Sequence, residues 1–159
     1  IQLAKQFGAE VTGVCSGKNK ALVKDLGADT VLDYTKNELR DNMETFDVIF
    51  DTVGKLSYRK TKKNLKSNGV FLTPVLSLSV LFNMIFTSLF SKKKLKFDAT
   101  GIRKKEQRMR DLVQIQEMLA AGTLTTVIDR VYPLEQIQEA HEYIDTGRKR
   151  GNVIVAMHS

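Results

Sequence analysis

Short apolar segments alternate with helix-like segments along most of this chain, and this alternation constrains the fold more than any other feature. The segments predicted as strands are Val11–Cys15, Thr30–Asp33, Asp47–Asp51, Val70–Thr73, Lys94–Thr100, Val127–Tyr132 and Val153–Ala156. The segments predicted as helices are Ile1–Phe7, Lys20–Leu26, Glu38–Glu44, Leu56–Lys66, Glu106–Ala120 and Leu134–Asp145. Apolar strands separated by helices form parallel sheets that are covered on both faces. The sequence therefore predicts an α/β fold with a doubly wound parallel sheet.

The chain opens in a helical segment that ends at Gly8 and is followed by the strand Val11–Cys15. A helix followed by a strand is the second half of a βαβ unit, so we expect the first strand and a phosphate-binding loop to lie upstream of Ile1. This order predicts a partial Rossmann-type sheet, with a nucleotide-binding domain at 1–124. Residues 125–159 are expected to form a separate C-terminal segment. The chain alone is expected to be inactive.

Charge and cysteine content exclude several classes of function. The net charge is +7 and the pI is near 9.5, but no recognition helix, RNA-binding aromatic pair or zinc finger accompanies the basic clusters. We therefore expect no nucleic-acid partner. The single cysteine, Cys15, excludes an internal disulfide, and a cytoplasmic location is expected. His141 and His158 have no partners at metal-ligand spacing, so no metal site is predicted.

The segment after the strand Val11–Cys15 carries the main cofactor signal. In a dinucleotide-binding sheet the end of the second strand lies beside the adenosine ribose, where a carboxylate selects NAD. Here Ser16, Lys18 and Lys20 follow the strand and no carboxylate is present. A hydroxyl and two ammonium groups suit a 2′-phosphate, which predicts NADPH as the cofactor. The alternative interpretation is a polar turn that caps the next helix.

Two later strand ends add candidate contacts. Tyr34 follows the strand Thr30–Asp33 and is a candidate for stacking on the adenine or reaching the phosphate. Thr52, Val53 and Gly54 follow a buried strand at the edge where open α/β sheets place ligands. A surface tyrosine and a plain strand-to-helix turn are the respective alternatives.

The stretch Val75–Phe90 is strongly apolar and is followed by Ser91 and Lys92–Lys94. A membrane-spanning helix takes about 20 predominantly apolar residues, and this stretch is shorter and contains Asn83. Three interpretations stay open: a helix at a domain or subunit contact, a wall of a substrate pocket, or a membrane-surface helix anchored by the lysines.

The chain resembles the medium-chain dehydrogenase/reductase superfamily, and most of all its zinc-free quinone oxidoreductase branch. The residues that carry the resemblance are Gln2-Leu3-Ala4-Lys5, Gly8-Ala9 and Val11; Leu26-Gly27-Ala28-Asp29, Val31 and Asp33-Tyr34; Phe46-Asp47-Val48 and Asp51-Thr52-Val53-Gly54; Tyr132-Pro133-Leu134, Glu139-Ala140-His141 and Gly151-Asn152-Val153-Ile154-Val155. Together they cover nearly the whole chain outside Val75–Lys94.

The resemblance implies a nucleotide-binding domain joined to an N-terminal barrel-like substrate domain, toward which the C-terminal segment 125–159 would pack. It implies that Ser16, Lys18 and Lys20 grip the 2′-phosphate, that Tyr34 lines the adenosine side and that Thr52–Gly54 contacts the ribose. It also places Asn152 near the nicotinamide.

We therefore expect an NADPH-dependent oxidoreductase that reduces a hydrophobic quinone, enone or related carbonyl compound and forms a homo-oligomer. No catalytic residue is assigned. The alternatives are a non-catalytic nucleotide-binding or membrane-peripheral protein of the same fold, and a zinc-dependent alcohol dehydrogenase.

Overall fold

The structure, a computed structural model, describes residues 1–36, 38–41, 44–99 and 103–157. The fold is mixed α/β, and every pairing among the described strands is parallel, which confirms the predicted class. The strands are β1 (Thr12–Cys15), β2 (Thr30–Asp33), β3 (Phe46–Phe50), β4 (Leu65–Thr73), β5 (Lys94–Phe97), β6 (Ile128–Pro133) and β7 (Asn152–Ala156). The helices are α1 (Gln2–Gln6), α2 (Lys20–Asp25), α3 (Glu38–Asp41), α4 (Tyr58–Thr61), α5 (Leu78–Phe90), α6 (Lys105–Ala120) and α7 (Ile137–Asp145).

The described strands form three sheets, β1-β2, β3-β4-β5 and β6-β7. The chain divides into two compact units, one made of residues 1–40 and 111–159 and the other of residues 41–110. The predicted boundary after residue 124 stays a prediction.

In the first unit, β1 and β2 pair from Thr12 opposite Thr30 to Cys15 opposite Asp33. Helix α2 packs closely against this pair. A Cβ added at Gly13 would lie 2.4 Å from Cγ1 of Val23 on α2, so only glycine fits this position of β1 without a shift. The two strand ends are thereby fixed side by side.

The C-terminal part of the same unit is held by polar contacts around β6. The Tyr143 hydroxyl on α7 donates to Oδ2 of Asp129 at 2.7 Å, and the Arg130 guanidinium lies 3.7 Å above the Tyr143 ring. The Gln2 amide nitrogen donates to the Thr125 carbonyl at 3.0 Å, and the Thr125 amide donates back to Oε1 of Gln2 at 2.8 Å. These bonds connect α1 to the segment before β6.

The second unit has the more apolar core. Four buried residues form it, namely Tyr58, Leu65, Phe71 and Leu95. The Tyr58 and Phe71 rings meet edge to face at 5.8 Å between centroids. Val80 and Met84 on α5 pack against this cluster, so the inner side of α5 is fixed.

Two sequence predictions are wrong. The predicted helix Leu56–Lys66 is a short α4 and a 3-10 turn that ends at Asn64, because Leu65 pairs with Phe46 and begins β4, where it is 1% exposed. Core burial of one leucine outweighs the helical pattern around it. The helix Glu106–Ala120 is amphipathic in sequence, which predicts a buried side that includes Met109 and Leu112, but in α6 these two residues are 52% and 58% exposed.

The other predicted elements agree with the structure to within a few residues. Of the predictions above, Asn42, Met43 and Thr100 lie outside the described residues.

Candidate nucleotide-binding site

Four of the predicted cofactor-binding residues gather at the carboxyl edge of the β1-β2 pair. Ser16 follows β1 directly and is half-buried, and the 3-10 turn Gly17–Asn19 then leads into α2 at Lys20. Tyr34 follows β2 and is 59% exposed. Since Cys15 lies opposite Asp33 in the register, the two segments that leave the strands are neighbours.

Ser16 precedes the 3-10 turn, but its hydroxyl makes no capping hydrogen bond to the turn. The side chain is therefore not used as the cap that the alternative interpretation assigned to this segment. Lys18 is exposed and forms no ion pair with any residue in the described ranges. A hydroxyl and an ammonium group are thus available at this edge.

A buried carboxylate lies against the turn Gly17–Asn19. Asp33 is 1% exposed, and its Oδ1 accepts hydrogen bonds from the Thr35 hydroxyl at 2.7 Å and the Thr35 amide at 2.9 Å. The bond from the Thr35 hydroxyl is the main reason that the pKa of Asp33 lies below its usual range. A Cβ at Gly17 would lie 2.6 Å from Oδ2 of Asp33, so the turn needs a glycine above this carboxylate.

Lys20 already has an acidic partner. Its Nζ donates to both carboxylate oxygens of Glu38 at 2.9 and 3.0 Å, and Oε2 of Glu38 also accepts from the Asp33 amide at 2.6 Å. The Asp33 amide, followed by the Lys20 ammonium, lowers the pKa of Glu38 below its ordinary value. The sequence analysis missed Glu38, although the parallel register brings the segment after β2 beside the segment after β1.

The second predicted group, Thr52–Gly54, follows β3 in the other unit and is held by Asp51, which is 6% exposed. The Asp51 Oδ1 accepts from the amides of Val53 at 3.2 Å and Gly54 at 2.9 Å, while Oδ2 accepts from the Leu56 amide at 2.8 Å. Gly54 has φ +74°, and a Cβ there would lie 2.8 Å from Val75. This carboxylate fixes a tight loop with an exposed backbone.

Asn152 begins β7, where its amide donates to the Val127 carbonyl at 2.7 Å and its side chain is exposed. The fold places it in the β6-β7 pair, which is a different sheet from the β1-β2 pair. Its contact with a nicotinamide stays a prediction.

Zinc is held in proteins by cysteine, histidine and carboxylate ligands. Within the ranges that the structure describes, no three such side chains gather, so these residues do not fit a zinc ion. His141 is exposed on α7, and His158 lies outside the described residues. Cys15 is buried, and its burial, together with the negative charge of Asp33, raises the pKa of the thiol.

Comparison with known proteins places the chain in a family. The model of the family described as zinc-binding dehydrogenase matches residues 26–155. The mitochondrial NAD(P)H oxidoreductase RTN4IP1 of Mus musculus is 31% identical over 98% of this chain and 43% of its own length. The 2-methylene-furan-3-one reductase of Solanum lycopersicum is 31% identical over 98% of this chain and 36% of its own length.

A solved structure confirms the fold. The quinone oxidoreductase of Coxiella burnetii superposes with a TM-score of 0.76 at 24% identity, and the match covers 99% of this chain and 48% of that one. The chain therefore spans less than half the length of these relatives. It belongs to the zinc-binding dehydrogenase family, in the quinone oxidoreductase-like branch of the medium-chain dehydrogenase/reductase superfamily.

Proposed function

We propose that the protein carrying this chain is an NADPH-dependent oxidoreductase that transfers a hydride to a quinone, an enone or a related carbonyl compound. The observation that carries the proposal is the edge of the β1-β2 pair, where a half-buried Ser16 and an exposed Lys18 follow a strand with no carboxylate directly after it, and where Lys18 has no ion-pair partner in the described part of the chain. The names of the mouse and tomato relatives and of the Coxiella enzyme support the reaction class.

The residues at this edge differ in what they offer a 2′-phosphate, which carries close to two negative charges at neutral pH. Lys18 supplies a free ammonium group, and the Ser16 hydroxyl supplies a hydrogen-bond donor beside it. Lys20 contributes less, because its ammonium is already bonded to Glu38. We therefore assign the main phosphate contact to Lys18 and a supporting role to Lys20.

Each remaining predicted residue is assigned to one part of the cofactor. Tyr34, with an exposed ring, lines the adenosine side, and the exposed backbone at Thr52–Gly54 contacts a ribose. Asn152 approaches the nicotinamide end. When bound, NADPH supplies the hydride, and these residues bind and orient it.

The test compares NADPH and NADH binding to the intact protein by the fluorescence of the reduced nicotinamide. Loss of one charge-assisted hydrogen bond in Lys18→Ala should weaken NADPH binding by about 10- to 100-fold and leave NADH unchanged. Ser16→Ala and Lys20→Ala should each lower the affinity for NADPH by a smaller factor and leave the affinity for NADH unchanged. Lys149→Ala, an exposed lysine on the loop before β7, is the matched charge control.

Equal affinity of the parent protein for NADPH and NADH, or equal losses for both in Lys18→Ala, would contradict the assignment. A preference for NADPH would justify screening quinones and enones as acceptors. A cytoplasmic location of this protein stays a prediction, since the mouse relative is named as mitochondrial.

A further inference from the structure

Helix α5 presents a long apolar stripe to solvent in the second unit. Leu78, Phe82, Ile85 and Leu89 recur at the spacing of one helix face and are 87%, 65%, 65% and 68% exposed. The helix contains no charged residue. The stripe is thus an uncovered apolar face within this unit, of the kind that marks an interaction site.

The opposite side of α5 is anchored in its own unit, so the orientation of the stripe is fixed. Val80 and Met84 pack on the core, and Thr87 is 2% exposed. The Thr87 hydroxyl accepts a hydrogen bond from the Leu95 amide at 3.1 Å, and the Lys94 ammonium donates to the carbonyls of Thr87 at 3.0 Å and Ser88 at 3.1 Å. These bonds tie the C-terminal end of the helix to β5.

Positive charge is concentrated in the segment that carries this helix. Residues 52–97 contain ten lysines and arginines and no aspartate or glutamate, whereas the other 113 residues carry 15 basic and 18 acidic side chains. The whole positive net charge of the chain therefore resides in the segment that carries α5. Arg59, Lys62 and Lys63 line an open groove of about 520 Å³ together with Phe82 and Phe86 of the helix.

This combination decides which partner fits. A second copy of the chain would bring two segments of like charge together, which opposes association. A nucleic acid would bind the cations and leave the aliphatic stripe exposed. An anionic bilayer binds both the basic residues and the apolar stripe, because its headgroups attract the lysines while the boundary of its acyl region accommodates the apolar side chains.

The length of the helix fixes the mode of contact. α5 has 13 residues, about 20 Å at the rise of an α-helix, which is shorter than a bilayer core. None of the described helices combines the length and apolarity that crossing a bilayer takes. We propose that the α5 stripe and the basic residues around it form a docking surface for an anionic lipid bilayer, on which α5 lies parallel to the membrane plane.

Co-sedimentation of the intact protein with vesicles tests this. We expect binding to phosphatidylcholine vesicles that contain about 30% phosphatidylserine, little binding to phosphatidylcholine alone, and a decrease as salt rises from about 0.1 to about 0.5 M. Lys62→Gln/Lys63→Gln should weaken binding by about 10- to 30-fold, from about fivefold per charge. Arg148→Gln/Lys149→Gln removes the same charge elsewhere and should change binding by less than about twofold.

The apolar stripe is tested separately. Ile85→Ser/Leu89→Ser changes two exposed side chains and should weaken vesicle binding by at least about tenfold. NADPH affinity serves as the folding control, because neither residue belongs to the nucleotide-binding edge. This control also separates failure of the bilayer proposal from failure of the proposed function.

A fluorescence probe reports the depth of insertion, since the chain contains no tryptophan. The difference spectrum of Phe82→Trp against the parent should shift to the blue and be quenched by brominated lipid with anionic vesicles only. Phe7→Trp, at a residue 77% exposed in the other unit, should not respond. Absent binding, binding insensitive to lipid charge, or dimerisation that protects the stripe without vesicle binding would each overturn the proposal.

Discussion

The conformation of the loop after β3 depends on one buried carboxylate, and we expect two replacements of this carboxylate to destabilise the loop to different extents. Asp51 accepts hydrogen bonds from the amides of Val53, Gly54 and Leu56, and bonds to a charged acceptor contribute about 1.5–3 kcal/mol each. In Asp51→Asn the Oδ1 atom still accepts hydrogen bonds from the Val53 and Gly54 amides. The Nδ2 group, however, faces the Leu56 amide, and because both groups are donors this hydrogen bond is lost. We expect local destabilisation by about 2–3 kcal/mol.

Hydrogen exchange read by mass spectrometry or NMR measures this directly. At about 1.4 kcal/mol per factor of ten, the Leu56 amide should exchange about 30- to 100-fold faster in Asp51→Asn, while the Gly54 amide stays protected. In Asp51→Ala all three amides should lose protection. Asp47→Asn is the matched control, because Asp47 forms only an exposed ion pair with Lys66 at 2.8 Å and such a pair contributes about 0–1 kcal/mol.

Uniform exchange of the three amides in parent and Asp51→Asn protein would refute this account of the loop. Loss of Gly54 protection alone would show that the bonds are divided differently between the two carboxylate oxygens. If the loop also contacts a ribose, Asp51→Ala should weaken NADPH and NADH binding equally, because the cofactors differ only at the 2′-phosphate.

Three further predictions concern single positions. In chemical denaturation Gly54→Ala should lower the free energy of unfolding by about 1–3 kcal/mol more than Gly8→Ala. Both glycines have positive φ, but of these two only Gly54 lacks room for a Cβ. Equal losses of unfolding free energy in the two variants would contradict this explanation. Glu38 has a lowered pKa, so its stabilising contribution is present above its unfolded pKa of about 4.3 and is lost as pH falls through the lower folded value. The melting temperature of Glu38→Gln should therefore fall less than that of the parent between about pH 5 and pH 3. Tyr58→Phe keeps the ring but removes the hydrogen bond of 3.1 Å from the Tyr58 hydroxyl to the Lys93 carbonyl. We expect denaturant titrations to show a free energy of unfolding lower by about 0.5–1.5 kcal/mol. An unchanged free energy of unfolding would show that water replaces the bond.

The sequence predicts strands and parallel pairing well where the signal is local. β1 and β2 are short apolar runs between glycine-closed helices, and the structure places both within one residue of their predicted bounds. The predicted start of β4 is wrong because the pairing that determines it involves a residue distant in sequence. Leu65 pairs with Phe46, and the register then shifts so that Val48 lies opposite Val70. Residues 66–69 read as a helix end but form an irregular part of a strand.

The candidate site shows the same division between local and distant signals. The lack of a carboxylate after β1 is visible in the sequence, and in the structure Ser16 and Lys18 follow the end of β1. The ion pair between Lys20 and Glu38 joins residues 18 positions apart and depends on the parallel register, so no short stretch of the sequence predicts it. Side-chain identity predicted a group of cations, and only the fold shows which of them is already engaged.

The two basic features of this chain differ in physical kind, and this difference separates their roles. At the proposed nucleotide-binding edge Lys20 is bonded to Glu38 and Asp33 is buried nearby, while Lys18 has no ion-pair partner among the described residues, which suits one phosphate in a fixed geometry. In residues 52–97 ten cations occur without a single acid, which suits a diffuse field over a wide anionic surface. The NADPH preference at the edge should therefore depend mainly on Lys18, with smaller contributions from Ser16 and Lys20, whereas binding at α5 should depend on the summed charge. Moving Lys62 or Lys63 to another exposed position of residues 52–97 should leave vesicle binding nearly constant, while moving Lys18 by one residue should remove most of the NADPH preference.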